Sequence, residues 1–354
     1  MNDSRPWMIY GAYGYTGRLV AEQAVRLGLT PLLGGRDPGA LQALGSRLGL
    51  SCRVFDLEDA TAAQAALADV AVVAHCAGPF SATAAPMQEA CLASGSHYVD
   101  ITGEIGVFEQ THARHERARA AGITLCPGVG FDVIPTDCVA ACLLEALPDA
   151  THLALGFDSG SGLSPGTART TAEGLKLGGQ IRRDGRLEAV PLGYRRRDID
   201  FGRGLRHAVT IPWGDVATAY YSTGIGNIEV YPPVPPWLAA GMRLFDPFRG
   251  LLGGERVQHW LKEQARQRIK GPDEAARQRQ RTWVWGEVRN AAGNRRTARL
   301  ETANGYDVTV HGVLMAVRHL LERPHSAGYF TPSQLLGARC VEALPGSGRI
   351  TLRS

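Results

Sequence analysis

Residues 9–18 read IYGAYGYTGR, and the reading of this stretch decides the first part of the chain. Gly11, Gly14 and Gly17 recur every third residue, after the apolar run Trp7-Met8-Ile9-Tyr10 and before a helix-like stretch from Arg18 to Leu27. A buried strand that turns straight into a helix leads the chain to the helix N-terminus, where free backbone N–H groups and the helix dipole favour a phosphate. The glycines let a pyrophosphate approach the backbone. The spacing is GxxGxxG, not the usual GxGxxG of NAD domains, so the turn is a weak signal when taken alone. It gains weight from its surroundings.

Short β-rich runs alternate with helix-length segments over the first 140 residues. Strands are expected at 7–11, 31–34, 52–55, 70–76, 97–101 and 123–126, and helices at 16–27, 38–48, 61–67, 83–93 and 107–121. This order predicts an α/β doubly wound Rossmann domain over residues 1–140. After Asp132 the texture changes: a helix is expected at 135–147, then strand-like and Gly-rich segments to about residue 305. Apolar and polar positions alternate in TARLETANGYDVTV (297–310), the pattern of antiparallel strands. The expectation is a second, mixed α/β domain with a largely antiparallel sheet over 141–307, which closes the substrate cleft. Helical segments at 311–321 and 332–343 then complete the nucleotide domain within 308–354.

Composition agrees with a two-domain enzyme. The 354 residues are 44% hydrophobic and 20% charged, which excludes disordered and fibrous classes, and a net charge of +4 gives no reason to expect nucleic acid. Arginines gather between Arg182 and Arg206, but interspersed aspartates favour a solvated face over an anion-binding surface. Seven cysteines without a CxxC spacing suit a reducing cytoplasm. No signal peptide is apparent at the N-terminus, and no apolar run reaches the roughly 20 residues of a membrane span. The nearest, 235–254, is interrupted by Arg243, Asp246, Pro247 and Arg249, and a buried core helix is favoured there over an amphipathic flap beside an apolar substrate or a membrane surface.

An Asp or Glu near the end of the second strand binds the ribose 2′-hydroxyl of NAD, whereas an arginine accommodates the 2′-phosphate of NADP. The motif LLGGRD puts Arg36 there, with Asp37 one position on, so NADP(H) is favoured over NAD; in the alternative, Arg36 caps a loop and Asp37 takes the ribose. The cofactor site then comprises Gly11, Gly14, Tyr15, Thr16 and Gly17 of the turn, Arg36, Asp56 after the third strand, and Cys76, Gly78 and Pro79 of HCAGPF at the end of the fourth.

For the chemistry, several templates fail. A short-chain dehydrogenase needs Tyr four residues before Lys, yet Ala172, Gln258 and Arg266 precede the three lysines, Lys176, Lys262 and Lys270. Neither GxSxG nor HExxH occurs, and HARHE (His112–Glu116) has the wrong order for zinc, so no metal is expected. Two polar clusters remain at strand ends: YVDITGE, with Tyr98, Asp100, Thr102 and Glu104, and GVGFDVIPTD, with Asp132 and Asp137. The candidates for proton transfer are Tyr98, Asp132 and Glu104.

Taken in order, GAYGYTGRLVAE, GGRD, CAGPF, YVDITGE, PGVGFDVIPTD, GSGLSPGTARTT, RTWVWGEV and YFTPSQLLGARCVEALPG resemble the saccharopine dehydrogenase-like reductases, in particular the bacterial branch with trans-acting enoyl reductases. The resemblance implies an NADP-binding Rossmann domain, reduction of a C=C or C=N bond by hydride transfer, and a cleft-closing loop at GLSPGTART whose Thr167 and Arg169 face the substrate. Three readings follow. The first is a cytoplasmic NADPH-dependent reductase of an enoyl or acyl chain, which a carrier can present. The second is an imine reductase in which Arg169, Arg182 or Arg183 holds a carboxylate. The third is a non-catalytic NADP-binding sensor or partner subunit. A homodimer and peripheral membrane contact through 235–254 stay open.

Overall fold

The computed structural model describes residues 5–160, 178–245, 272–322 and 326–353. The chain divides into two compact units, one of Met1–Phe131 with Tyr306–Leu336, the other of Asp132–Gly305 with Gly337–Ser354.

The first unit is built on β1 (Trp7–Tyr10), α1 (Tyr15–Arg26), β2 (Leu32–Gly35), α2 (Pro38–Leu48), β3 (Cys52–Val54), α3 (Ala60–Leu67), β4 (Val72–His75), α4 (Phe80–Ser94), β5 (His97–Asp100), α5 (Ile105–His112), α6 (His115–Ala120) and β6 (Thr124–Cys126). Strands β1, β4 and β5 are buried at every position, as strands covered by helices on both faces must be. All pairings are parallel, and the order is β15-β6-β5-β4-β1-β2-β3, where β15 is Gly328–Tyr329. The doubly wound expectation therefore holds, with a two-residue strand from the C-terminal region added beside β6. The expected helix at 107–121 is divided between α5 and α6. The HARHE residues serve this edge: His115 Nδ1 accepts the Tyr329 N–H at 3.1 Å, and the His112 ring packs edge-on against Tyr329.

The second unit begins with α7 (Ile134–Ala146), followed by β7 (Ala150–Ser159), β8 (Gly179–Arg183), β9 (Arg186–Val190), β10 (Arg196–Asp200), β11 (Leu205–Val209), α8 (Asp215–Thr223), β12 (Asn227–Tyr231), α9 (Pro236–Phe245), α10 (Glu274–Arg279), β13 (Arg281–Asn290) and β14 (Arg295–Ala303). Helix α11 (Gly305–Glu322), from Tyr306 onward, and α12 (Pro332–Leu336) belong to the first unit, and β16 (Thr351–Arg353) belongs to the second. A seven-stranded sheet runs β16-β14-β13-β7-β12-β8-β9, antiparallel except for the β7–β12 pair. Helices α7 and α8 cover one face of it. On the other face the hairpin β10–β11 packs its Ile199, Phe201 and Ala208 against Tyr231 and Trp285 of the sheet.

Four expectations are corrected here. Helix α7 belongs with the second unit, because its buried apolar face packs on β13 and β14 and not on the parallel sheet. The segment 337–354 also stays with the second unit, where β16 pairs with β14. The strand pattern of 297–310 ends at Ala303. Beyond it Val308, Val313, Leu314 and Val317 recur at helical spacing and are buried on α11. At the start of the 235–254 segment, Trp237 on α9 is 75% exposed, so this helix is not a buried core element there.

Candidate active site

The glycine turn owes its shape to close approach. Gly11 has φ of +79°, and a Cβ placed on it would lie 2.7 Å from the Ala77 Cβ at the end of β4. A Cβ on Gly17 would overlap the Gly11 carbonyl oxygen, so the first turn of α1 sits directly on the loop. The Gly11 N–H donates to the Gly34 carbonyl at 2.9 Å, holding the ends of β1 and β2 side by side.

The N-termini of the first four helices differ in a telling way. Asp37 caps α2, accepting from the Ala40 N–H at 3.0 Å, and Asp59 caps α3, accepting from Ala62 at 2.9 Å. For α4 the cap comes from elsewhere, as the Glu104 carboxylate accepts the Phe80 and Ser81 N–H groups at 2.9 and 2.8 Å. Helix α1 begins at Gly14 with no side-chain cap and no acid in its first turn. The first N–H groups of a helix have no intrahelical acceptor. Thus α1 keeps its positive end available to an anion, while its neighbours have theirs filled by carboxylates.

Beside it, Arg36 ends β2 exposed, and among the described residues its guanidinium has no hydrogen bond or ion pair. Asp37 is occupied as a helix cap, which disfavours its use on a ribose. An open helix end and an unengaged arginine at the second strand fit a pyrophosphate and a 2′-phosphate. Asp56 is partly buried and accepts the Glu58 N–H at 3.1 Å as a turn residue. Cys76 and Pro79 are partly accessible and Gly78 is exposed, at the carboxyl end of β4 where nucleotides lie in such sheets. Burial, and then the nearby Asp100, push the Cys76 thiol up to about 12, so it stays protonated.

The three candidates for proton transfer are placed very differently. Tyr98 is completely buried, and its hydroxyl donates to Asp100 Oδ2 at 2.6 Å. Asp100 Oδ1 in turn accepts the Thr102 and Gly128 N–H groups at 2.9 and 2.8 Å. This network ties the end of β5 to the loop after β6, and burial raises Asp100 to about 6 in spite of those hydrogen bonds. Tyr98 is buried away from solvent and Glu104 is committed to the α4 N-terminus, so neither side chain is placed to exchange a proton with a substrate.

Asp132 is the exception. It is the first residue after Phe131, whose N–H is held at 3.0 Å by Thr309 Oγ1, and its side chain is only half-buried. The Trp213 indole N–H donates to the Asp132 carbonyl at 2.9 Å, fixing the backbone. Among the described residues its carboxyl has no hydrogen bond or ion pair, and burial raises its pKa to about 7. An acid in that state carries or releases a proton near neutrality.

Asp215 and Thr136 stand close by; Thr136 lies within GVGFDVIPTD, whereas Asp215 belongs to none of the quoted motifs. Asp215 is completely buried at the start of α8; its Oδ1 accepts the Thr136 hydroxyl at 2.7 Å and its Oδ2 has no hydrogen-bond partner. Burial raises it well above the usual carboxyl range, with the charges of Asp137 and Asp132 adding to the effect. Protonation of this carboxyl keeps an uncompensated charge out of the interior, the direction in which burial drives it. The apolar setting of Asp215 in TIPWGDVATAYY (210–221) is the signal that was available.

Arg182, a candidate carboxylate clamp, is 4% exposed, donates to the Val216 and Gly185 carbonyls at 2.8 Å each, and stacks on Tyr220. Arg183 is held by Glu188 and Tyr194 at 2.7 and 3.0 Å. Both act as structural groups. Thr167 and Arg169, with the rest of GLSPGTART, lie outside the described residues.

Comparison with known proteins agrees with the first unit. Residues 7–126 match the family model described as saccharopine dehydrogenase NADP binding domain, so this domain is of the NADP-binding type. A trans-acting enoyl reductase of Mycobacterium tuberculosis is 32% identical over 138 residues, 37% of this chain and 33% of that protein. The mouse saccharopine dehydrogenase-like oxidoreductase is 29% identical over 157 residues, 38% of this chain and 37% of its own. The chain thus spans about a third of the length of the curated relatives it matches. Apo saccharopine dehydrogenase (L-Glu forming) from Saccharomyces cerevisiae superposes over 99% of both chains with a TM-score of 0.66 at 12% identity, a likeness of fold.

Proposed function

We propose that this protein is an NADPH-dependent reductase of a C=C bond in an enoyl or acyl-type substrate, with Asp132 as the proton donor. The observation that carries this reading is the half-buried, unengaged Asp132 carboxyl, poised near pH 7, in a chain whose first domain is of the NADP-binding type. Gly11, Gly14 and Gly17, the open end of α1 and Arg36 hold the cofactor. When bound, NADPH supplies hydride for the β-carbon of the substrate. Asp132 then delivers its proton to the α-carbon, and Trp213 keeps its backbone in place. Names carried by the relatives, a trans-acting enoyl reductase among them, support the substrate class.

Reduction of an amino-acid imine is the weaker reading, because a carboxylate substrate calls for free arginines. Arg182 and Arg183 are spent on carbonyls, Glu188 and Tyr194, and Arg169, the third candidate, lies outside the described residues. The test is NADPH oxidation by wild type and Asp132→Asn over a panel of α,β-unsaturated acyl thioesters and a panel of 2-oxo acids with amines. Turnover of thioesters that falls about 10²–10⁴-fold in the variant supports the proposal. Turnover confined to the oxo-acid panel would replace C=C by C=N chemistry.

A further inference from the structure

The face of the second sheet that carries β10–β11 has a charge pattern that fold stability does not explain. Strand register places Arg289 of β13 directly between Arg295 of β14 and His152 of β7. Directly paired residues share a face, so these three side chains form a row across adjacent strands, about 4.8 Å from one strand to the next. The following row on the same face holds Glu287 and Glu229, each taken by an arginine: Arg197 to Glu287 at 2.6 Å and Arg195 to Glu229 at 2.8 Å. The first row is left uncompensated. All three of its side chains are exposed, and among the described residues neither Arg289 nor Arg295 has a side-chain hydrogen bond or ion pair.

Like charges directly opposite one another in a sheet are destabilising. Burial, and then the neighbouring Arg289 charge, make His152 harder to protonate, while Glu229 and Asp184 act the other way. A pattern that costs stability and serves no packing purpose marks a functional surface. The row lines a depression of about 850 Å³, walled also by Tyr194, Arg195 and Arg196 and by the carboxylates Asp184, Glu229 and Glu287, the last two paired with Arg195 and Arg197. That volume falls in the range of small-molecule sites.

We propose that this depression binds a phosphorylated small molecule, with the phosphate held by the guanidinium forks of Arg289 and Arg295 and by His152. Two planar forks and an imidazole at strand spacing offer donors for several oxygens of a phosphate, and the positive charge that matches a dianion comes from the two guanidiniums. The site lies within the second unit and is independent of the reductase reading.

The test is calorimetric titration of the full chain with inorganic phosphate at fixed ionic strength, with and without saturating NADP⁺, repeated on Arg289→Gln/Arg295→Gln. Saturable binding that persists with NADP⁺ and weakens about tenfold or more in the double variant is the expected result. Removing the repulsion should also leave the melting temperature of the unliganded variant equal to or above that of wild type, showing that the variant is folded. The proposal is overturned if phosphate does not bind, if the double variant binds it equally well, or if acetate binds as tightly as phosphate. Binding of a poly-glutamate peptide in the absence of phosphate binding would equally overturn it, in favour of a docking surface for an acidic protein.

Discussion

Arg36 and Asp132 are the residues on which the proposed function turns. Arg36 is exposed and unengaged, while Asp37 beside it is fixed as the cap of α2. Arg36→Ala should therefore weaken NADPH binding by about 10- to 100-fold, a loss of roughly 1.4–2.8 kcal/mol, and leave NADH binding almost unchanged. Fluorescence titration with both cofactors checks it. Asp132 adds a pH dependence. Its pKa is raised in the folded chain to about 7, from an ordinary value near 3.9. The acid form does the work, so kcat should fall about tenfold per pH unit above about 7, and Asp132→Asn should abolish that limb. The stability effect has its own sign. A raised carboxyl pKa favours the folded state fully below the unfolded value, and that contribution is lost as pH rises towards the folded value. Asp132→Asn should consequently raise the melting temperature more at pH 8 than at pH 4.

At the scale of elements, Glu104 links two helices by accepting the first N–H groups of α4. Glu104→Ala should cost about 1–2 kcal/mol of stability, as loss of a helix cap does, and Glu104→Gln should restore part of it. A catalytic Glu104 would instead lose turnover at unchanged melting temperature in both variants. This element also shows where local reading stops. The strands of the parallel sheet were legible because buried parallel strands are short apolar runs bounded by Gly and Asp. The role of Glu104 was not, because its partners lie 24 and 23 residues upstream. Likewise Thr136 and Asp215 meet across 79 residues, and β15 has only two residues, too short to show any periodicity. Tyr98 read as a candidate donor because a strand-end tyrosine looks the same in sequence whether it points into a cleft or, as here, into Asp100.

Across the whole molecule, the chain passes between its two units three times, at 131/132, 305/306 and 336/337. The last crossing returns β16 to the edge of β14 and brings Cys340 within 3.4 Å of Cys138 on α7. A chain ended after Leu336 should keep NADPH affinity, since the matched nucleotide domain is intact, but expose the β14 edge and the apolar side of α7. Thermal melting and light scattering would then report a destabilised, self-associating second unit.

Hydride transfer to a C=C bond with Asp132 as the acid can be followed with NADPH deuterated at the nicotinamide C4 and an α,β-unsaturated acyl thioester. Mass and NMR analysis of the product should show deuterium at the β-carbon and a solvent-derived proton at the α-carbon, with product formation falling in Asp132→Asn. Tight NADPH binding without deuterium transfer to any thioester in the panel would contradict it, leaving an NADP-binding protein of another purpose.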